Sequence, residues 1–236
     1  ILRQVTAHGV MTAEITKREI AKFPEYNDAF MRLFLKDMQR SLTRKEKEYR
    51  LADLIVANSN FVKGTFISRG IAAEKVVVVP AGCPVCADNP ANAGRGQKPL
   101  VFLFVGRMSL RKGLHYLIKA WHLLGAGKKA ELWLVGAKEL PNIKLNDPNA
   151  GIHYFGVVSP QRLAKIYAQA DVFVLPSLLE GLAYVLLEAL SQGLPIITTE
   201  ESGGKDFVQN GHNGFIIDAA SAEVLSGAMN WCLEYR

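Results

Sequence analysis

The sequence predicts an α/β protein in which short parallel strands alternate with helices. The run at 172–175 is wholly apolar and is closed by Pro176, which predicts a strand buried on both faces. A helix is predicted at 182–192, because Gly193 supplies a stop signal, and a second strand follows at 195–199. This alternation of strand, helix and strand is typical of a doubly wound parallel sheet.

The first 86 residues show the same alternation. Apolar runs predict strands at 1–5, 51–59 and 76–80. Helices are predicted at 27–50, where apolar residues recur with helical spacing, and at 60–69. We expect the apolar residues of the longer helix to serve in packing.

A change of composition separates this segment from the rest of the chain. Residues 87–99 are rich in Pro, Gly, Asn and Ala and lack periodicity, as expected of a linker. Beyond them, strands are predicted at 100–105, 130–135 and 152–155, and Ser159 is the predicted N-cap of a helix. The predicted organisation is a domain at 1–86, a linker at 87–99 and a second domain at 100–236.

Composition limits the classes of protein to which the chain can belong. A length of 236 residues with 49% hydrophobic residues is sufficient for ordinary cores. No apolar run approaches the roughly 18 to 20 residues needed to span a bilayer, and the first residues lack the pattern of a signal peptide. The default expectation is a cytoplasmic protein.

The net charge of +6 is unevenly distributed. Residues 1–86 hold 14 Lys and Arg against 9 Asp and Glu, so most of the basic excess lies there. Such a surface suits an anionic membrane leaflet, an anionic acceptor or nucleic acid, or it is a solvated face with no partner. No recognition motif for nucleic acid accompanies the charge, so we expect no nucleic-acid partner.

The three cysteines are too few for a disulfide scaffold. Cys83 and Cys86 form a C-x-x-C pair, but no helix start follows them, as a redox pair requires. A lone pair also cannot fill a zinc site with four ligands. We therefore expect neither a redox function nor a metal centre there.

Polar chemistry is expected where the strand at 172–175 ends. In an open α/β sheet the ligand crevice lies beyond the carboxyl ends of the strands, so the loop that holds Glu180 is the expected ligand site. The N-terminus of the following helix suits a phosphate. Glu180 can accept hydrogen bonds from two vicinal hydroxyls, whereas Glu188, in an apolar stretch, needs a ligand hydroxyl or a backbone donor. Two ordinary surface glutamates are the alternative.

The run PSLLEGLAYVLLEALSQGLPI resembles the retaining glycosyltransferases of family four, which carry a Glu-x7-Glu motif in this setting. The resemblance implies a GT-B fold of two Rossmann-like domains with doubly wound parallel sheets, the first of them incomplete. It also implies that Glu180 contacts hydroxyls of the donor sugar and Glu188 the nucleotide ribose. Ala183 departs from the family pattern, since many members have glycine there, and a methyl group at this position can shift donor choice.

The loop after the strand at 100–105 resembles the GR…KG loop of the same family. Arg107 and Lys112 are then expected to hold the donor diphosphate, and Gly106 lets the backbone approach the phosphates. Arg111 has no assigned role. A basic loop lying in solvent is the alternative.

The resemblance implies further site residues. His8, at the end of the first strand, is expected to face the donor sugar, and the backbone just after Phe155 is expected to recognise the base. The candidate catalytic residues are Glu180, Arg107, Lys112 and His8. The candidate donor-binding residues are Gly106, Arg107, Lys112, Gly156, Val157, Val158, Glu180, Gly181, Leu182, Ala183, Tyr184 and Glu188.

The implied function is transfer of a hexose from a nucleoside diphosphate sugar to a carbohydrate or lipid-linked acceptor, with retention, in polysaccharide or glycolipid synthesis. No cofactor or metal is expected, and no D-x-D pair is present. The basic first segment is compatible with peripheral association at the inner face of a membrane. Alternatives are a non-catalytic subunit that binds nucleotide sugars and a GT-B epimerase of nucleotide sugars. Strands expected before Ile1 and a helix expected after Arg236 indicate a fragment.

Overall fold

The computed structural model describes residues 2–4, 7–26, 29–82, 98–140 and 142–235. These residues form two parallel sheets, each accompanied by helices. The α/β class predicted from the sequence is therefore confirmed.

The first sheet has three parallel strands in the order β1-β2-β3. Its strands are β1 (Leu2–Gln4), β2 (Ile55–Ala57) and β3 (Val76–Val78), and its helices are α1 (Gly9–Lys22), α2 (Ala29–Leu51) and α3 (Asn60–Ile67). Tyr49, Ile55 and Phe66 lie at the centre of a small core between sheet and helices.

The second sheet has six parallel strands in the order β6-β5-β4-β7-β8-β9. The strands are β4 (Leu100–Val105), β5 (Ala130–Val135), β6 (Ile152–Gly156), β7 (Val172–Leu175), β8 (Ile196–Thr199) and β9 (Gly214–Ile217). The helices are α4 (Leu114–Leu124), α5 (Pro160–Tyr167), α6 (Tyr184–Ser191) and α7 (Ala222–Glu234). The chain proceeds from β4 to one edge of the sheet and from β7 to the other edge. The carboxyl ends of β4 and β7 are thus a topological switch point, where a ligand crevice is expected.

The central strands are apolar because both faces of the sheet are covered. All six residues of β4 are buried, as are all four of β7. Phe102, Phe104 and Phe173 are the largest of these side chains and are fully buried. The core of the second sheet therefore fixes the two strands whose ends form the switch point.

Some element boundaries differ from those predicted. The strand predicted at 51–59 is confined to β2, because α2 continues through Leu51 and Ser59 caps α3 by accepting the N–H of Val62 at 3.1 Å. The helix predicted from residue 182 begins at Tyr184, because the N–H of Ala183 donates to the C=O of Ser202 and holds Ala183 in an extended conformation. The strands predicted at 100–105, 130–135 and 172–175 and the Ser159 cap are confirmed.

Three elements are not predicted by the sequence patterns: α1, β9 and α7. The N-cap of α1 is His8, whose Nδ1 accepts the N–H of Val10 at 3.4 Å. Histidine followed by glycine is not among the usual start signals of a helix.

Parts of the predicted organisation lie outside the described residues. Positions 83–97 do so, including Cys83, Cys86 and most of the predicted linker. So do positions 1 and 5 of the predicted first strand, position 6 after it, and positions 27 and 28 of the predicted helix. The predicted domain boundaries therefore stay predictions. None of the helices within the described ranges combines the length and apolarity that crossing a bilayer requires.

Gly113 fixes the start of α4 against the end of β7. Its φ is 69°, and a Cβ built on it would lie 1.9 Å from the carbonyl oxygen of Pro176. Any side chain at this position therefore forces the chain segments that follow β4 and β7 apart.

We expect Gly113→Ala to lower the free energy of unfolding more than Gly125→Ala does. Gly125, at the other end of α4, also has a left-handed φ of 55°, but no atom lies within 4 Å of its Cβ position. Each substitution costs about 1–2 kcal/mol for the left-handed conformation, and Gly113→Ala adds about 1–3 kcal/mol of overpacking. Chemical denaturation of both variants measures the difference, and equal losses would contradict the close contact.

Candidate active site

Two loops meet where β4 and β7 end. The loop at 106–113, called the cation loop below, follows β4. The loop at 176–183, called the acid loop, follows β7. The N–H of Leu178 donates to the C=O of Arg111 at 2.8 Å, and Nη1 of Arg111 donates to the C=O of Leu179 at 3.1 Å. Backbone and side chain of one residue thus hold the two loops side by side.

A third loop, after β8, supports the second loop from its other side. Thr199 Oγ1 donates to the C=O of Ser177 at 2.6 Å, and the N–H of Glu180 donates to the C=O of Glu201 at 2.6 Å. Thr199 is the last residue of β8, and Glu201 lies just beyond it. The backbone of the acid loop is therefore fixed on both sides before any ligand is considered.

Glu180 places its carboxylate between two cations. Its Oε1 lies 2.9 Å from Nζ of Lys112 and 2.9 Å from Nη1 of Arg111. The side chains of Glu180 and Lys112 are each only 11% exposed. Oε1 is buried and accepts no aligned hydrogen bond within the described residues, so the contacts are ion pairs. Burying a carboxylate is costly unless it is paired, and here two cations compensate one acid.

Arg107, by contrast, makes no described contact with Glu180. Its Nη1 lies 3.2 Å from Oε1 of Glu139, and its side chain is 73% exposed. The structure therefore brings Arg111, and not Arg107, into contact with Glu180. An exposed ion pair is worth little, so Arg107 can exchange Glu139 for a ligand phosphate at small cost. The diphosphate role of Arg107 stays a prediction.

Glu188 lies on α6 and contacts the last residue of α5. Its Oε2 accepts a hydrogen bond from Oη of Tyr167 at 3.0 Å. From its apolar surroundings Glu188 was predicted to need a ligand hydroxyl or a backbone donor, and the donor in the structure is a side-chain hydroxyl. Burial raises the pKa of Tyr167 well above its usual range, and the charge and hydrogen bond of Glu188 add to this, so the phenol keeps its proton.

The start of α6 offers donors beside the acid loop. The backbone N–H groups of Tyr184 and Val185 have no partner among the residues that the structure describes. Free N–H groups at a helix start suit an anion when cations lie nearby. Leu182 and Ala183 are buried, while Tyr184 is exposed. The predicted donor-binding segment at 181–184 therefore presents mainly backbone and the Tyr184 ring.

The predicted base-contact segment lies at the end of β6. The C=O of Gly156 accepts the N–H of Gly136 at 2.8 Å. Val157 is 78% exposed, and Val158 is half-buried against the core. Within the described ranges the N–H of Val157 has no partner, so it remains available to a ligand. Base contact by this segment stays a prediction.

His8 is buried within the first segment. Its Nδ1 accepts the N–H of Val10, and its Nε2 lies 3.2 Å from Oε1 of Glu46. Because Nδ1 is an acceptor, the ring proton lies on Nε2 and is donated to Glu46. Burial lowers the pKa of His8, against the opposing charge of Glu46. No described hydrogen bond or ion pair joins His8 to the Glu180 loop, and its predicted role at the donor sugar stays a prediction.

Sequence reasoning missed the contacts by which the first segment reaches the second. Ser59 Oγ donates to the C=O of Gly181 at 2.6 Å. On α1, Oε2 of Glu19 accepts from Oη of Tyr116 at 2.9 Å and lies 3.4 Å from Nε2 of His115. Both partners of Oε2 belong to α4, which begins directly after the cation loop, whereas Oε1 lies 3.4 Å from Nε of Arg18. A helical pattern at 9–22 is the signal that would have placed Glu19 on a buried face.

A separate cavity lies at the opposite end of the second sheet. Its volume is about 390 Å³, and it is lined by Lys98, Pro99, Val101, Glu131, Trp133 and Gln169. The strand residues among them lie near the amino ends of β4 and β5. Ligands of open α/β sheets bind at the carboxyl ends, so this cavity is not the candidate active site.

The second part of the chain matches a known family. A profile of the family described as glycosyl transferases group 1 matches residues 87–236. The spore coat protein SA of Bacillus subtilis is 30% identical over 190 residues, which are 69% of this chain and 50% of that protein. The putative colanic acid biosynthesis glycosyltransferase WcaL of Salmonella typhimurium is 25% identical over an alignment of 239 residues, covering 94% of this chain and 53% of WcaL.

This chain is also similar to a solved glycosyltransferase structure. The apo form of the lipopolysaccharide outer core galactosyltransferase WaaB superposes with a TM-score of 0.65 at 25% identity, covering 78% of this chain and 53% of WaaB. Its similarity confirms the GT-B type of the fold. The chain spans about half the length of these relatives.

The buried histidine on α4 predicts that stability declines in weak acid. Burial lowers the pKa of His115, while the hydrogen bond and charge of Glu19 oppose it and Lys22 and Glu25 act at longer range. A group with a lowered folded pKa is protonated more readily in the unfolded chain. Stability is therefore complete above the unfolded pKa of about 6.5 and is lost as the pH falls below it.

We expect the free energy of unfolding to fall between pH 7 and pH 5, and His115→Gln to reduce that slope. His122→Gln is the matched control, because His122 is an exposed histidine on the same helix. Denaturation of the three proteins at several pH values measures the slopes. An unchanged slope in His115→Gln would contradict the burial of a neutral histidine.

Proposed function

This chain belongs to the glycosyl transferases of group 1, and we propose that its switch-point cluster binds the donor of a sugar transfer. The proposed reaction moves a hexose from a nucleoside diphosphate sugar to an acceptor hydroxyl with retention of the anomeric configuration. The observation that carries the proposal is the buried Glu180 carboxylate between Arg111 and Lys112, at the carboxyl ends of β4 and β7.

The donor diphosphate fits the cation side of this cluster. Lys112 is nearly buried and reaches Glu180, and the free N–H groups at the start of α6 lie at the end of the same acid loop. Donor binding would give Lys112 a phosphate oxygen and Glu180 the sugar hydroxyls in place of their mutual contact. Glu180 suits this exchange because its second oxygen, Oε2, accepts no hydrogen bond from the described part of the chain.

The negative charge that develops during bond breaking explains how such a cluster accelerates transfer. When the bond between the anomeric carbon and the phosphate oxygen breaks, negative charge concentrates on the departing diphosphate. Cations beside it stabilise the transition state more than the bound donor. The proposal gives this task to Lys112, with Arg107 recruited from its exposed pair, and therefore requires no cofactor or metal.

The nucleoside is assigned to Glu188 on α6 and to the segment that follows β6. Glu188, with one oxygen held by Tyr167, would accept the ribose hydroxyls, and the segment at 156–158 would contact the base through its backbone. A carboxylate offers about four acceptor positions, so the Tyr167 contact leaves capacity for a ribose.

The acceptor is proposed from the relatives and from charge. WcaL is named for colanic acid biosynthesis and WaaB for the lipopolysaccharide outer core, so we propose a carbohydrate or lipid-linked acceptor. Lys36, Arg40 and Arg44 are exposed at four-residue spacing and thus share one face of α2. Such a face supports peripheral association with an anionic cytoplasmic leaflet.

A panel of UDP-, GDP- and ADP-sugars tests the donor proposal. We expect the intact protein to bind at least one of them more tightly than about 1 mM and to transfer or hydrolyse its sugar. Absence of any binding near that concentration would contradict the proposal. Binding without turnover would support a non-catalytic subunit, and conversion of the donor sugar without transfer would support an epimerase.

We expect Lys112→Ala to lower turnover by about a hundredfold, the scale of losing one group that stabilises transition-state charge. The Michaelis constant should change less, since only part of the interaction exists before the bond breaks. Lys119→Ala is the control, because Lys119 is an exposed lysine on the same α4 and pairs with Glu223. Steady-state kinetics with and without a chelator measure both effects. Activity abolished by chelation and restored by magnesium would overturn the role given to Lys112.

A further inference from the structure

We infer that Tyr167 is a positioning residue that sets the preference of the donor site for an intact ribose. The inference rests on the proposed function, because it assumes that Glu188 receives the ribose hydroxyls. It adds a residue on α5 to a site otherwise built from Glu188 on α6 and the loops after β4, β6, β7 and β8.

Tyr167 is the last residue of α5 and is 4% exposed. Its ring lies beside Phe173 of β7, with the ring centroids 6.0 Å apart. Its hydroxyl lies 3.0 Å from Oε2 of Glu188 and 3.5 Å from the C=O of Val185. A phenol has one proton to donate, and the shorter contact to a charged acceptor takes it.

The contact matters because Glu188 is otherwise weakly constrained. It stands on α6, a helix of eight residues, and its side chain has three rotatable bonds and is only half-buried. The hydrogen bond to Oε2 restricts rotation of the carboxylate. Among the described residues Oε1 has no partner, so the carboxylate presents one open oxygen to a ligand.

The phenol proton that Tyr167 donates to Glu188 is present throughout the physiological pH range. Burial, together with Glu188, keeps the Tyr167 phenol neutral across the physiological range, so the hydrogen bond does not switch with pH. A ligand that offers hydroxyl donors to Glu188 therefore binds a carboxylate that is already oriented, and less free energy is lost in ordering that side chain. The chemical class selected is a ribonucleoside diphosphate, and 2′,3′-dideoxy analogues are disfavoured.

The test compares a ribonucleoside diphosphate with its 2′,3′-dideoxy analogue, using whichever of UDP, GDP or ADP the intact protein binds. We expect the wild type to prefer the ribose form by about tenfold or more, the scale of a hydrogen bond to a charged group. Tyr167→Phe should lower that ratio by about threefold or more. The affinity for the dideoxy form should be unchanged, which a general loss of structure would not produce.

Tyr116→Phe is the matched control. Tyr116 is also buried and donates its hydroxyl to a glutamate, Glu19, at 2.9 Å, but it contacts neither Glu188 nor the acid loop. Its loss should leave the ribose preference unchanged. Should Tyr167→Phe fail to fold, Glu188→Asp tests the same geometry, because it keeps the charge but withdraws the carboxylate from the Tyr167 hydroxyl, and we expect the ratio to fall there too.

The outcomes separate the two proposals. If no nucleoside diphosphate binds, the proposed function fails and this inference fails with it. If Tyr167→Phe leaves the ratio unchanged or weakens both ligands equally, the positioning role is overturned while the donor site stands. If the wild type binds but shows no ribose preference, or if a folded Glu188→Asp variant keeps the wild-type ratio, the ribose role of Glu188 is overturned as well, while diphosphate binding at Lys112 stands.

Discussion

The ion pair between Lys112 and Glu180, 2.9 Å long and nearly buried, joins the two loops of the switch point. A carboxylate with this little exposure requires a cation beside it, and the cation loop must therefore lie against the acid loop. Strand order brings the two loops together, and Gly113 permits the approach because Pro176 leaves no room for a side chain. The backbone contact from Glu180 to Glu201 completes the frame. The ion pair therefore contributes both to the chemistry of the site and to the arrangement of its loops.

The central sheet could be predicted from the sequence because its strands are mostly apolar. The runs at 100–105 and 172–175 are unbroken and apolar, and the run at 130–135 is interrupted only by Glu131. The observed bounds of all three strands equal the predicted ones. The position of Glu180 beyond the end of a strand also followed from this pattern. The side-chain partners did not follow. Arg107 and Arg111 both precede Lys112 in the same loop. Only the folded structure shows that Arg111 pairs with Glu180, whereas Arg107 pairs with Glu139.

Other features escaped prediction because they depend on contacts between distant segments. The start of α6 is displaced by a hydrogen bond from Ala183 to Ser202, which no local pattern contains. The hydroxyl of Tyr167 reaches Glu188 through the packing of α5 beside α6, and an isolated tyrosine at the end of a helix gives no sign of this. His8 was predicted as a site residue from its place after a strand, and its ring nitrogens contact Val10 and Glu46. Its role at the donor sugar stays a prediction.

The proposed donor site requires that a diphosphate displaces the Glu180 carboxylate from Lys112. The affinity of the intact protein for a free nucleoside diphosphate, measured by calorimetry in the wild type and in Glu180→Gln, tests it most directly. Glutamine carries no charge and cannot form an ion pair with Lys112. We therefore expect binding to tighten by about threefold or more, because a nearly buried cation without a partner gains most from a phosphate. Glu188→Gln, the same substitution at the ribose carboxylate, should weaken binding. Weaker binding in Glu180→Gln, as in Glu188→Gln, would contradict the account.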